Sequence, residues 1–258
     1  MRILFLGDIV GKTGRQAVEA TLPILIEQYN PDFVLANGEN AAAGLGITPD
    51  IADRLFATGV DGITLGNHAF QKRDIPEYLN SNKNIIRPAN FPPGTAGRGT
   101  MTLEKNGMKL SVANFCGRVF MAEYDDPFRG ADKFISEAPA ACKLIDFHCE
   151  ATSEKMAFGY YVDGRVSAVI GTHTHVQTAD ERILGGGTAF ITDVGMCGPQ
   201  DSVIGMDREI ILRRFTTLMP EKFEVAGGPS VISGVVVNVK DDTGAAESIE
   251  RILLRDIK

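Results

Sequence analysis

Long apolar runs are missing from this chain. Asp8 interrupts the first one, and others, such as Gly234 to Val237, have only the length of a strand, so nothing approaches the ~20 residues that a bilayer-crossing helix requires. The run Ile3 to Leu6 is too short for the apolar part of a secretory signal, and no small-residue cleavage site follows it. These absences predict no membrane span and a cytoplasmic location. Cysteine is scarce. Cys116, Cys142, Cys149 and Cys197 form no C-x-x-C pair, which argues against a zinc knuckle or a disulfide scaffold and for buried free thiols. Positive charge is in deficit: 26 Lys and Arg face 33 Asp and Glu, a formal net charge of -7. A broad basic surface for nonspecific nucleic-acid binding is therefore not expected. An anionic substrate must find its positive charge locally. Internal repeats, charge blocks and linkers are absent as well, which predicts a single domain over residues 1–258.

What is present is an ordinary soluble composition, 44% hydrophobic and 23% charged, in a chain long enough to bury about 70% of its unfolded surface. Arg2 to Leu6 reads as a buried strand closed by Gly7 and Asp8. Thr13 and Gln16 have the spacing of a capping box for a helix that runs to Asn30, with Pro23 expected to kink it. Phe33 to Ala36 and Gly62 to Leu65 are further strands, each leaving into a polar turn. Between them Thr48, Pro49 and Gly59 mark the ends of a second helix. This alternation is the βαβ pattern of a parallel sheet, in which polar turns share the rim where ligands bind. The middle differs. Thr100 to Leu103 and Lys109 to Asn114 flank Asn106-Gly107, a hairpin signal, so the sheet architecture is mixed. A helix from Pro127 to Ser136 and strands Lys143 to Phe147, Val166 to Ile170 and Thr188 to Thr192 follow, then a helix from Arg208 to Leu218 and a strand from Val231 to Val239.

The four histidines, His68, His148, His173 and His175, all fall at or just beyond the end of a predicted strand. Taken singly, His148 reads as a structural residue, Asp8 as a turn residue and Glu39 as a solvated carboxylate. Their joint placement is what those readings leave unexplained. In extended chain His173 and His175 point to the same side, so both imidazoles can reach one metal cluster. With Asp8, Glu39 and Asn67 at corresponding ends of other strands, they form an N/O metal site. Gly7 to Thr13 resembles a phosphate-binding P-loop, but it is one residue short between its glycines and carries a repelling aspartate. Gly11 and the helix behind it are left to offer backbone N–H groups to an anion.

The order Gly7-Asp8, Gly38-Glu39-Asn40, Gly66-Asn67-His68, His148 and Gly171-Thr172-His173-Thr174-His175 resembles the motif series of the calcineurin-like metallophosphoesterase superfamily. That resemblance implies a four-layer α/β/β/α sandwich with two mixed sheets. The chain departs from the usual series twice: Val10 stands where a histidine is common, and Glu39 replaces an aspartate. The Glu39-Asn40 variant, with Asp146-Phe147-His148, Glu150 to Lys155 and Thr192 to Met196, is similar to the bacterial YmdB-type branch, whose members are similar to 2′,3′-cyclic-nucleotide phosphodiesterases.

Carried over by position, the resemblance implies one metal on Asp8, Glu39, Asn40 and His175 and a second on Glu39, Asn67, His148 and His173. Two divalent ions less Asp8, Glu39 and a bridging hydroxide leave roughly +1 for a phosphodiester anion. Asn40 in place of a histidine hardens one site and favours iron or manganese. The implied reaction is in-line attack by the metal-bridging hydroxide, with His68 as general acid toward the leaving ribose oxygen. His68 reads alternatively as a hydrogen-bonding support. The expected partner is a small phosphodiester such as a cyclic nucleotide, not a stable nucleic-acid complex; a homo-oligomer remains open. Competing activities are a phosphomonoesterase or a 3′,5′-cyclic-nucleotide phosphodiesterase on the same centre, and a nucleotide-sensing regulator without turnover. Specificity loops are expected at Phe91 to Gly99 and Phe120 to Gly130.

Overall fold

A computed structural model describes residues 1–257. In chain order the elements are β1 (Arg2–Leu6), β2 (Asp8–Ile9), α1 (Gly11–Tyr29), β3 (Phe33–Asn37), α2 (Pro49–Thr58), β4 (Gly62–Thr64), α3 (Ile75–Ser81), β5 (Ile85–Ile86), β6 (Thr100–Lys105) and β7 (Met108–Cys116). They continue with α4 (Pro127–Glu137), β8 (Cys142–His148), α5 (Thr152–Val162), β9 (Ala168–Thr172), β10 (Arg182–Ile183), β11 (Ala189–Ile191), β12 (Met196–Pro199), α6 (Arg208–Thr217), β13 (Ser230–Val239) and β14 (Ala246–Ile257). Among the described residues no helix is long and apolar enough to cross a membrane.

Two mixed sheets result, as the family resemblance implies. The first has eight strands in the order β2-β12-β13-β1-β3-β4-β5, with β14 on β13. Its β1, β3, β4 and β5 run parallel, whereas β13 is antiparallel to β1. The second has the order β10-β11-β9-β8-β7-β6, parallel from β11 to β7 and closed by the β6–β7 hairpin. Asn106 and Gly107 turn that hairpin at φ 53° and 79°, the left-handed geometry of a tight turn.

Strand periodicity decides where each side chain goes. Along β1, Leu4 and Leu6 join an apolar cluster with Val18 and Leu22 of α1, and Ile3 and Phe5 join another with Val112, Leu144 and Ile170 of the second sheet. Both faces of β1 are thus covered, which is why its sequence reads as a continuous apolar run. A third cluster sets Phe115, Ile145 and Phe147 against Phe134 of α4 and Phe158 of α5. Fully burying one such side chain is worth about 1.5–3 kcal/mol. All four cysteines are free and buried.

Several local expectations need correction. Helix α1 starts at Gly11, without a side-chain cap, and not at a Thr13 capping box. The Thr13 hydroxyl instead donates to the Ala226 carbonyl at 3.0 Å. The Gly11 amide is also spoken for, donating to Asn40 O at 2.9 Å, so it ties the helix to the Glu39-Asn40 turn and offers nothing to an anion. By contrast α2 is capped as read, with Thr48 accepting from the Ile51 amide and Gly59 closing the end. His173 and His175 do not lie in extended chain: β9 ends at Thr172, and both have left-handed φ, 99° and 67°. Thr174 between them is bent inward by Asp193, whose Oδ2 accepts from the Thr174 amide at 3.1 Å and its hydroxyl at 2.7 Å.

Candidate metal centre

The turns after strands of both sheets meet at one place. Asp8 stands on β2, Glu39 and Asn40 follow β3, Asn67 and His68 follow β4, His148 ends β8, and His173 and His175 follow β9. Every residue singled out from the sequence is therefore at this rim. Glu39 Oε1 lies 2.9 Å from His148 Nε2, which in turn lies 3.0 Å from His173 Nδ1 and 3.1 Å from Asn67 Oδ1. Glu39, His148 and His173 form a group with metal-ligand spacing. A second group adjoins it: His175 Nε2 is 3.0 Å from Asn40 Nδ2 and 3.7 Å from Asp8 Oδ1. Separations near 3 Å are those of neighbouring ligand atoms held at roughly 2.1 Å from a shared cation.

Hydrogen-bond partners fix the histidine tautomers. Thr172 Oγ1 donates to Asp146 Oδ1 at 2.6 Å, so it must accept from His148 Nδ1 at 2.8 Å. His175 Nδ1 faces the Ile204 carbonyl at 2.8 Å, and His173 Nε2 faces Glu150 Oε2 at 3.2 Å. In each ring the outer nitrogen has an acceptor for its hydrogen, so the inner one is the nitrogen that would turn a lone pair to a cation, the arrangement of metal-binding imidazoles. Two further observations fit a cation. Asp8 is fully buried, and its Oδ1 has no hydrogen-bond partner among the described residues. A Cβ on Gly66 would stand 2.3 Å from Glu39 Oε2 and 2.4 Å from His148 Nε2, so the backbone there leaves the ligand atoms room to converge.

The electrostatics point the same way. Burial raises the Asp8 pKa, only partly offset by His175 and His148. Burial works against a charged His148, but Glu39, Asp8 and Asp146 outweigh it and lift the imidazole to about 9. Burial likewise opposes ionisation of Glu39, yet His148 and His68 hold its carboxyl well below the usual range. Burial and the neighbouring His148 charge push His173 down to about 3. The site is thus a compact set of acceptors in want of positive charge.

His68 sits at the edge, 28% exposed, with Nδ1 3.2 Å from Asn40 Oδ1 and its amide donating to Glu39 Oε2 at 3.0 Å. Asn40 turns its nitrogen, not its oxygen, toward His175. The supports around the ligands lay outside the sequence argument as functional residues. Asp146, buried and pushed up to about 6 by burial, accepts from Asn37, Thr64 and Thr172. Lys155 and Asp193 form a buried pair at 2.6 Å. Their only sequence signal was the Asp146, Lys155 and Asp193 phrases that carried the family resemblance. The expected specificity loops are corrected too. Phe91 stacks on Tyr124 at 4.9 Å, so those loops pack on each other, and the cavity beside the centre is walled by residues 203–223 instead.

A family model described as YmdB-like protein matches residues 4–252. A Bacillus subtilis protein named 2′,3′-cyclic-nucleotide 2′-phosphodiesterase is 53% identical, covering 99% of this chain and 98% of its own. A crystal structure described as a novel phosphatase from Mycoplasma pneumoniae is 36% identical with a TM-score of 0.94, covering 100% of this chain and 94% of that one. The NAD nucleotidase of Haemophilus influenzae, at 13% identity and a TM-score of 0.62 over 100% of this chain and 56% of its own, shares the fold. The chain belongs to the YmdB-like family.

Proposed function

We propose that residues 1–258 form a single-domain, cytoplasmic, metal-dependent phosphodiesterase that opens 2′,3′-cyclic nucleotides. The observation that carries this reading is the convergence of three imidazoles, Glu39 and the Asp8 oxygen that has no hydrogen-bond partner among the described residues on one cluster. The relative at 53% identity, named for that reaction, supports the substrate class. Asp8, Glu39, Asn40 and His175 would hold one transition-metal ion, and Glu39, Asn67, His148 and His173 a second. Ions bound there supply Lewis-acid activation of water and of the phosphoryl oxygens. Iron or manganese suits the oxygen-rich first set.

The chain's own residues supply the rest. Thr172, Glu150 and the Ile204 carbonyl hold the three ligand imidazoles in one tautomer and orientation. Asn40 Oδ1, 3.2 Å from His68 Nδ1, accepts the hydrogen on that nitrogen, so the ring can carry a second proton on Nε2, toward the cavity it lines. The imidazolium would pass that proton to the departing ribose oxygen and remain as a neutral ring. General acids of this kind contribute about 100- to 10,000-fold. Monoester hydrolysis is the second reading, favoured by the relative described as a phosphatase.

Assay of 2′,3′-cyclic, 3′,5′-cyclic and monoester nucleotides with manganese and with iron tests the assignment. Preferred turnover of the 2′,3′-cyclic substrates is expected, and monoester preference would replace it with the second reading. His68→Ala should cut kcat roughly 100-fold or more while metal content holds. Parallel loss of metal and rate would make His68 a support, not an acid.

A further inference from the structure

The cavity beside the centre measures about 580 Å³, within the range of small-molecule sites. His68, His173 and His175 line one side. Opposite them stands a wall that no step of phosphodiester hydrolysis uses, formed by Ile204, Met206, Arg214, Phe215 and Phe223. Paired bridges from Met206 to Val203 and Val225 fold this segment back on itself, and Asp207 caps α6 by accepting from the Glu209 and Ile210 amides. The wall is fastened to the centre, since the Ile204 carbonyl is the acceptor for His175 Nδ1.

Two features of the wall call for a ligand. Phe215 and Phe223 are 73% and 52% exposed, and neither ring stacks on another aromatic among the described residues. Arg214 has no carboxylate partner among the described residues and donates only to the Leu218 carbonyl at 3.3 Å, whereas its neighbour Arg213 pairs with Glu221 at 3.1 Å. Unstacked rings and an unpaired guanidinium therefore face the same cavity as the metal ligands.

We propose that this wall is the nucleobase subsite: with the phosphodiester at the centre, the base stacks on Phe215 and Phe223, and Arg214 presents its planar cation to it. This rests on the cyclic-nucleotide reading above and adds what recognises the nucleoside. Every base has a π face, so stacking is tolerant of base identity. The chain should then accept all four 2′,3′-cyclic nucleotides at similar kcat/KM and discriminate against a cyclic phosphodiester that lacks a base.

The test compares 2′,3′-cyclic AMP with base-free glycerol 1,2-cyclic phosphate, using the wild type, Phe215→Ala, Phe223→Ala and Phe215→Tyr. Phe215→Ala is expected to lower the nucleotide-to-glycerol ratio of kcat/KM about 5- to 100-fold, the range of base–aromatic stacking. The change should fall on KM, with metal content and the base-free rate kept and with Phe215→Tyr restoring the preference. A ratio that stays within about twofold of wild type in both alanine variants overturns the subsite. A change in oligomeric state with no change in ratio does the same, by making the face a contact between copies. If the wild type hydrolyses neither compound, the phosphodiesterase reading has failed. Calorimetric binding of 2′,3′-cyclic AMP then decides the subsite separately: weaker binding by Phe215→Ala sustains it and equal binding sinks it.

Discussion

Asp193 and Lys155 show how far the geometry of the centre reaches into the interior. Both are only 1% exposed, and their 2.6 Å contact sets the two buried charges against each other. Asp193 also accepts from Gly195 N at 2.8 Å and bends Thr174 inward, holding His173 and His175 in left-handed backbone that costs about 1–3 kcal/mol per residue. Lys155→Met should destabilise the protein by roughly 3–5 kcal/mol, because it strands a buried carboxylate. Urea melts check that loss, and elemental analysis of the folded fraction should show depleted metal. Unchanged metal content would mean the histidine turn holds its shape without this pair. At this scale the ligand candidates were legible, because polar residues at strand ends stand out. The supports were not, since a lysine or glutamate in α5 looks solvent-facing until a partner 38 residues away is known.

Elements carry the same distinction. Strands β1, β3, β8 and β9 were legible within a residue or two, because buried parallel strands are short apolar runs between turns. Helix α5 was not, since its buried positions include Glu154 and Lys155 and so break apolar periodicity. Strand β14 escaped as well; most of its side chains are exposed or half-buried, and only its long pairing with β13 defines it. The turn after β4 gives a sharper test. Gly66→Ala drives a Cβ into Glu39 and His148, so metal retention and turnover should collapse together while circular dichroism stays close to wild type. Thr48→Ala is the matching control, because the Thr48 hydroxyl accepts from the Ile51 amide at the start of α2 and bonds to none of the candidate ligands. It should cost about 1 kcal/mol of stability and leave kcat unchanged.

For the whole molecule, the pairing of strands into sheets was the part least legible. Arg2 pairs with Asn238, a neighbourhood that no local pattern announces. Charge at the centre makes the assembled protein sensitive to pH. In protein stripped by a chelator, His148 holds a proton up to about 9, and a cation must displace it. Apparent metal affinity should therefore rise about tenfold per pH unit from neutrality and level off near that value. Binding isotherms across this interval, with proton release measured alongside, check the sign; affinity independent of pH would contradict it. Chelation should also lower Tm by about 5–10 °C, given roughly 2.7 kcal/mol of linkage at a hundredfold excess over Kd.

The second sheet is built from one continuous stretch, β6 to β11, between strands that both belong to the first. A nascent chain leaving the ribosome exposes Asp8, Glu39 and Asn67 more than a hundred residues before His173, and β1 waits for β13 until residue 239 is made. A metal centre on these residues would therefore be complete only once His175 has been made. Truncated products of interrupted synthesis would carry carboxylates without imidazoles and bind transition ions poorly.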